Sequence, residues 1–186
     1  MLLPVLSFNF ELALHEGGSL VIVLMGVAGA GKTTVGKLLA EELGWEFRDA
    51  DDYHSTANVE KMRNGTPLTD ADRAPWLVAL GELICGWVAR CQNAVLACSA
   101  LKKAYRESLQ LGPEVQFVYL KVVHEVLQQR LKARRGHYMT EQMLASQLAA
   151  LEEPQHALVI DAAGAPEQIV DKIRAELSLT KFTEPR

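Results

Sequence analysis

Gly26-Val27-Ala28-Gly29-Ala30-Gly31-Lys32-Thr33 follows the apolar run Leu20 to Met25 and leads into Thr34-Val35-Gly36-Lys37-Leu38-Leu39-Ala40. A glycine loop between a strand and a helix, ending in lysine and threonine, is the pattern G-x-x-x-x-G-K-[ST], which cradles phosphate. Backbone N–H groups from Ala28, Gly29, Ala30, Gly31, Lys32, Thr33 and Thr34 point toward one spot. There the partial positive charge of the helix end favours an anion, and Lys32 adds a full charge beside it. The ligand implied is a nucleoside triphosphate with magnesium. Chance is a poor alternative, because at ordinary glycine content the string arises in roughly one chain in a hundred or fewer of this length.

Three further clusters follow strand candidates. The first is Asp49-Ala50-Asp51-Asp52-Tyr53-His54. On an extended chain, alternation sends Asp49 and Asp51 the same way, toward the phosphate loop. Magnesium needs Thr33 and a carboxylate, directly or through water, while a substrate hydroxyl needs a proton acceptor. Asp49 suits the first role and Asp51 the second; Asp52 reads better as a solvated turn residue. In the second cluster, Cys98-Ser99-Ala100-Leu101-Lys102-Lys103-Ala104-Tyr105-Arg106, Ser99 is placed to cap a helix whose first turns carry three cations. Cations there oppose the helix dipole, so Lys102, Lys103 or Arg106 is expected to serve an anion, with Lys103 the first candidate for a plain surface charge.

The third cluster, Arg130-Leu131-Lys132-Ala133-Arg134-Arg135-Gly136-His137-Tyr138, ends one helix and precedes another. Basic residues at a helix C-terminus are ordinary, yet the glycine is equally compatible with a lid whose arginines close over a triphosphate. Upstream, Asp72 caps a helix if Pro75 stands near its start, and Asp70 and Asp72 are then structural. Arg73 falls in that first turn, where a cation needs a negative partner such as a substrate carboxylate. It is the best candidate for a substrate anchor.

The elements that must position these residues alternate between short apolar runs and longer segments of helical period, as in a parallel sheet with helices on both faces. Strands are predicted at Leu20 to Met25, Trp45 to Arg48, Ala94 to Cys98, Gln116 to Leu120 and Leu158 to Ile160. Helices are predicted at about Thr33 to Leu43, Trp76 to Arg90, Lys102 to Leu111, His124 to Arg134, Thr140 to Leu151 and Pro166 to Leu177. Trp76, Leu80, Leu83, Trp87 and Cys91 form one stripe, and Ile169, Val170, Ile173 and Leu177 another, both read as core. The fold class is α/β of the P-loop NTPase type, a three-layer sandwich with a sheet of about five strands and a small lid at about 134–140. The organisation expected is an extension over 1–18, one kinase domain over 19–178 and a tail over 179–186.

A chain of 186 residues with 49% hydrophobic and 23% charged residues is an ordinary globular protein, and a formal charge of -4 argues against broad nucleic-acid binding. The apolar run Leu20 to Met25 is far too short for a bilayer, so no membrane association is expected. Met1 to Gly18 holds no Lys or Arg, unlike a secretory signal or presequence. Cys85, Cys91 and Cys98 lack metal-ligand spacing and fall in apolar stretches, which predicts buried thiols in a reducing compartment, the cytosol by default.

From about Leu20 to Leu177 the chain resembles the bacterial-type gluconate kinases (gluconokinases) of the shikimate-kinase-like P-loop group. The resemblance rests on the phosphate loop, on Asp49 to His54, on Lys61-Met62 leading into Gly65 to Leu77, on Cys98 to Arg106, on Arg130 to Met139 and on Gln147 to Pro154. It implies transfer of the ATP γ-phosphoryl group to the 6-hydroxyl of D-gluconate, giving 6-phosphogluconate for the pentose phosphate or related routes, by a homodimer using ATP and Mg2+. It further implies a sugar-acid side built from Asp51, His54, Arg73, Ser99, Lys102, Arg106 and His137. Arg130 would lie against the adenine and Arg134 near the phosphates, with a swap equally compatible. Family members often carry proline where this chain has Ser55. A shikimate kinase would show a glycine run at Cys98-Ser99-Ala100, a nucleoside monophosphate kinase normally a longer lid, and a GTP switch an Asn-Lys-x-Asp string that this chain lacks.

Overall fold

β1 (Val21–Met25) is apolar and buried at every position, which requires a strand in the middle of a sheet covered on both faces. The computed structural model, which describes residues 18–133 and 141–182, places it there. β2 (Glu46–Asp49), β3 (Ala94–Ala97), β4 (Val115–Lys121) and β5 (Leu158–Asp161) complete an all-parallel sheet in the order β2-β3-β1-β4-β5. Val21 pairs with Ala94 on one side and with Val115 on the other. The chain thus fills one side of β1, then crosses to the other. That reversal opens a crevice at the carboxyl end of β1, which is where such sheets bind ligands and where the glycine loop begins.

Alternate side chains of β1 enter two separate cores. Ile22 and Leu24 pack with Leu39 of α1 (Lys32–Leu43) and with Ile169 and Ile173 of α7 (Pro166–Glu176). Val21, Val23 and Met25 face Trp76, Leu80, Ile84 and Trp87 of α3 (Asp70–Ala89) and Leu109 of α4 (Lys103–Leu109). α5 (His124–Ala133) and α6 (Glu141–Ala150) lie over the carboxyl end, where Leu127 and Leu144 pack with Val27 and Leu101. Beyond α7, Leu179 is buried and Phe182 donates its N–H to Glu42 O of α1 over 2.8 Å. No helix among the described residues is long and apolar enough to cross a membrane.

The five strands lie within a residue or two of their predicted positions, but the helices differ in instructive places. α2 (Thr56–Arg63) is absent from the sequence reading because it buries only Asn58 and so carries no apolar stripe. Ser55 caps it, its hydroxyl accepting from Asn58 N–H, which gives a local reason for serine at that position. α3 starts at Asp70 rather than Trp76, and its cap is Thr69, not Asp72. Thr69 and Asp72 form a reciprocal capping box, leaving Pro75 in the second turn. A proline there removes a helix hydrogen bond at a cost of about 3 kcal/mol, offset by the fully buried Leu80, Ile84 and Trp87 that follow.

The stripe on α3 runs through Ile84, with Leu83 only partly buried. Cys91 is not on it. The helix ends at Ala89, and Cys91 sits in the turn beyond with φ 51, exposed. Cys85 is also exposed, so of the three thiols expected to be buried only Cys98 is. α4 likewise begins at Lys103 with Lys102 at its N-cap, so Ser99 caps nothing.

Candidate active site

The loop after β1 needs backbone that side chains resist. Gly26 has φ 141, and a Cβ there would lie 2.9 Å from Leu120 O of the neighbouring strand. Gly31, the N-cap of α1, has φ 100, again in the region that favours glycine. The resulting turn brings Ala28, Gly29, Gly31, Lys32 and Thr33 to the wall of one cleft of about 400 Å³. Ala30 is fully buried and Thr34 is exposed in the first turn of α1; neither lines the cleft. Lys32 Nζ donates to Val27 O over 3.1 Å.

Asp49 ends β2 and its Oδ2 accepts from Thr33 Oγ1 over 2.7 Å. Asp51 does not reach the loop by strand alternation, as the sequence suggested. Residues Ala50–Tyr53 form a 3-10 turn instead, capped by Asp49 Oδ1 accepting from Asp51 N–H over 3.1 Å. Trp76 of α3 holds that turn, its indole N–H donating to Ala50 O over 2.7 Å. Asp49 and Asp51 therefore share the cleft with Lys32 by way of a capped turn. Cys98, just past the end of β3, is buried and its thiol is pushed up to about 12, chiefly by burial, which makes it inert.

The opposite wall is formed by His54, Met62, Thr66, Pro67, Leu68, Arg73 and Trp76. The His54 ring stacks on Trp76 with centroids 4.6 Å apart and planes at 11°. Burial, and then the positive charge of Arg73, lower its pKa from 6.5 to about 4, so the imidazole is neutral at physiological pH. Arg73 is held from behind: Nη1 donates to Leu68 O over 2.7 Å and to Tyr105 Oη over 3.4 Å. Asp70 ties this corner together. Its carboxylate accepts from Lys102 Nζ at 2.7 and 2.9 Å and from the Tyr105 hydroxyl, with Arg73 Nη1 at 3.9 Å. The Lys102 bond first, then that of Tyr105, holds the Asp70 carboxyl below the usual range.

The sequence-predicted residues thus divide. Lys32, Thr33, Asp49, Asp51, His54, Arg73 and Ser99 line one cleft. Lys102 stands behind Arg73, paired with Asp70. Arg106 turns to the carbonyls of Ala100 and Leu101, at 3.0 and 2.9 Å, and braces the loop after β3 rather than the cleft. Arg130 donates to Gly29 O and Ala30 O of the phosphate loop at 3.4 Å each, and to Ala162 O, Ala163 O and Gly164 O after β5 at 2.9, 3.1 and 3.3 Å. Arg134 and His137 lie outside the described residues. Missing from the sequence reading are the Asp70–Tyr105 support, the anchoring role of Trp76 beyond its place in the core, and any role for Gln147 of α6, named there only within Gln147 to Pro154, whose Oε1 accepts from Ala28 N–H over 2.7 Å. No periodicity singles out Gln147.

Among the described residues no group of three or more His, Cys, Asp or Glu side chains is placed to hold a metal ion. The Thr33 hydroxyl and Asp49 carboxylate are hard oxygen donors beside an anion-binding loop. That set suits a magnesium ion, a hard cation that prefers oxygen donors.

A parallel sheet with a phosphate loop at its switch point, and a second polar wall facing that loop across one cleft, defines a P-loop phosphotransferase. The family model for shikimate kinase matches residues 28–178. The gluconokinase of Gluconobacter oxydans (strain 621H) is 50% identical over 135 residues, 72% of this chain and 75% of that protein. A probable gluconokinase of Xenopus tropicalis is 44% identical over 177 residues, 85% of this chain and 93% of that protein. The crystal structure of a gluconokinase from Sinorhizobium meliloti 1021 aligns with a TM-score of 0.76 at 38% identity, covering 87% of this chain and 92% of that one. The chain belongs to the gluconokinase family, within the shikimate-kinase group of P-loop kinases.

Proposed function

We propose that this protein transfers the γ-phosphoryl group of ATP to the 6-hydroxyl of D-gluconate, giving 6-phospho-D-gluconate. The observation that carries this reading is the single cleft in which Arg73, a cation suited to a carboxylate, faces the phosphate loop with Asp51 between elements that fix both. Gluconate needs those features together: a hydroxyl to be phosphorylated at one end and a carboxylate to be held at the other. The gluconokinase relatives support the same choice of acceptor.

In this mechanism Lys32 and the loop N–H groups neutralise charge as it spreads over the phosphoryl oxygens. Thr33 and Asp49 would hold Mg2+, which would offset the negative charge of the triphosphate. Asp51 orients the acceptor hydroxyl and takes its proton. Arg73 binds the carboxylate through the guanidinium edge that Leu68, Tyr105 and Asp70 leave open. His54 stays neutral and presents an imidazole face-packed on Trp76, a polar contact for a hydroxyl without adding charge. Ser99 adds a hydroxyl from the end of β3, Lys102 sets the local charge behind Arg73, and Arg106 acts by bracing the adjoining loop. Arg130 secures the nucleotide side through the two loops it joins. By family analogy the reading extends to a cytoplasmic homodimer that supplies 6-phosphogluconate to the pentose phosphate route.

The reading is tested by ³¹P NMR of protein incubated with ATP, Mg2+ and D-gluconate. It requires a phosphomonoester resonance coupled to the protons of a primary carbon, growing as the γ-phosphate of ATP declines; ATP left intact, or phosphate released as the free ion, would contradict it.

A further inference from the structure

α6 is seated by its apolar side: Leu144 is buried against Val27, Leu101 and Leu127, and Leu148 and Leu151 pack on the same cluster. Gln147, one turn beyond Leu144, is thereby brought to the phosphate loop, where its Oε1 accepts from Ala28 N–H over 2.7 Å. The assignment of oxygen and nitrogen is not arbitrary here. An N–H donor can be met only by the carbonyl end of the carboxamide, so Nε2 with its two donors is turned the other way. Gln147 lines the cleft that Asp51 and Arg73 also line, and Nε2 has no hydrogen-bond acceptor among the described residues. A donor pair open to a ligand cleft, with no protein acceptor among the described residues, is available to a substrate oxygen.

We infer that Gln147 is an acceptor-contacting residue, which donates from Nε2 to a polyol oxygen near the reacting hydroxyl while its Oε1 stays on the phosphate loop. The inference rests on the gluconate reading and adds a specificity element to it. A neutral carboxamide suits a hydroxyl where a second cation would compete with Arg73 for the carboxylate. Its attachment to Ala28 means the acceptor chain is registered against the same loop that holds the phosphates. Proximity of that kind is what in-line transfer requires.

Two variants separate this role from mere bracing of the loop. Gln147→Glu keeps an oxygen for Ala28 N–H and loses both donors; Gln147→Met keeps the size and neutrality and loses both functions. Both are expected to lower kcat/KM for gluconate by about tenfold, the worth of one hydrogen bond to substrate. ADP affinity of the neutral Met variant, read by calorimetry, should stay within about twofold of the parent protein's, and the Glu variant should melt at the parent's temperature. A Glu variant that phosphorylates gluconate within about threefold of the parent would show that only the bond to Ala28 matters and overturn the assignment. So would a loss of ADP affinity in the Met variant as large as its loss in kcat/KM. Should the parent itself form no product with gluconate, the gluconate reading fails alone, and the same comparison is made with the acceptor the parent uses.

Discussion

The Thr33 hydroxyl donates to Asp49 Oδ2 across 2.7 Å, joining the first turn of α1 to the end of β2. These are the two side chains assigned to Mg2+, and each now fixes the other's rotamer. Asp49→Asn keeps the shape and a hydrogen-bond acceptor but removes the negative charge. It is expected to raise the magnesium concentration for half-maximal turnover by about tenfold or more, measured by titrating MgCl2 at fixed total ATP; an unchanged midpoint would remove Asp49 from the metal site.

Asp51 is held in a 3-10 turn that Asp49 caps and Trp76 anchors, so its carboxylate is presented by a rigid support. Asp51→Asn is expected to lower kcat by about a hundredfold or more, the range for loss of a positioned general base. ADP affinity should hardly change, because Asp51 is assigned to the acceptor hydroxyl and not to the nucleotide. Steady-state rates beside calorimetric ADP binding check both parts.

His54 gives a pH dependence whose sign can be worked out. Its folded pKa, near 4, lies below the unfolded value of 6.5, so between these limits the unfolded chain binds more protons. Its contribution to stability is full above 6.5, declines as pH falls toward 4 and is flat below. Asp72, lowered from 3.8 to about 2 by bonds from Lys61 and Thr69, adds a separate loss below 3.8. The melting temperature should therefore fall between pH 6.5 and 4 in the parent protein and fall less steeply in His54→Phe, which can still stack on Trp76. Equal slopes would contradict the assignment.

The Arg73 guanidinium lies over the Tyr105 ring at 5.8 Å, and among the described residues its hydrogen bonds and ion pair run through Nη1 alone, which leaves its other nitrogens for a carboxylate. Arg73→Ala is expected to raise KM for gluconate by about ten- to a hundredfold, with a smaller change in KM for ATP. Arg73→Lys should rescue little of it, since an ammonium lacks the planar fork. Initial rates at varied gluconate and saturating ATP are the check.

Much of this architecture was legible in the chain itself, and the reasons are local. The loop from Gly26 to Thr33 is recognisable because its chemistry demands glycines at fixed places, and Leu20 to Met25 because a central strand must be apolar throughout. Asp49 and Asp51 were singled out by their place after the second strand, and Arg73 by asking which charge sat badly without a ligand; all three line the cleft. The same question misjudged Arg106, whose charge is met by backbone carbonyls of its own loop. α2 buries too little to leave a pattern, and Pro75 hid the true start of α3 at a capping box that tolerates it downstream. The partnership of Asp70 with Tyr105 and Lys102, and that of Gln147 with Ala28, join residues far apart in sequence. Such pairings arise only when the chain folds, so no spacing announces them.

The central claim is that one cleft holds a triphosphate and a carboxylated polyol together, and ADP formation with a panel of acceptors tests it most directly. With D-gluconate, shikimate, nucleoside monophosphates and no acceptor compared at equal concentration, rapid ADP formation is expected with gluconate alone. Comparable ADP release without any acceptor, or faster release with shikimate or a nucleotide, would contradict it.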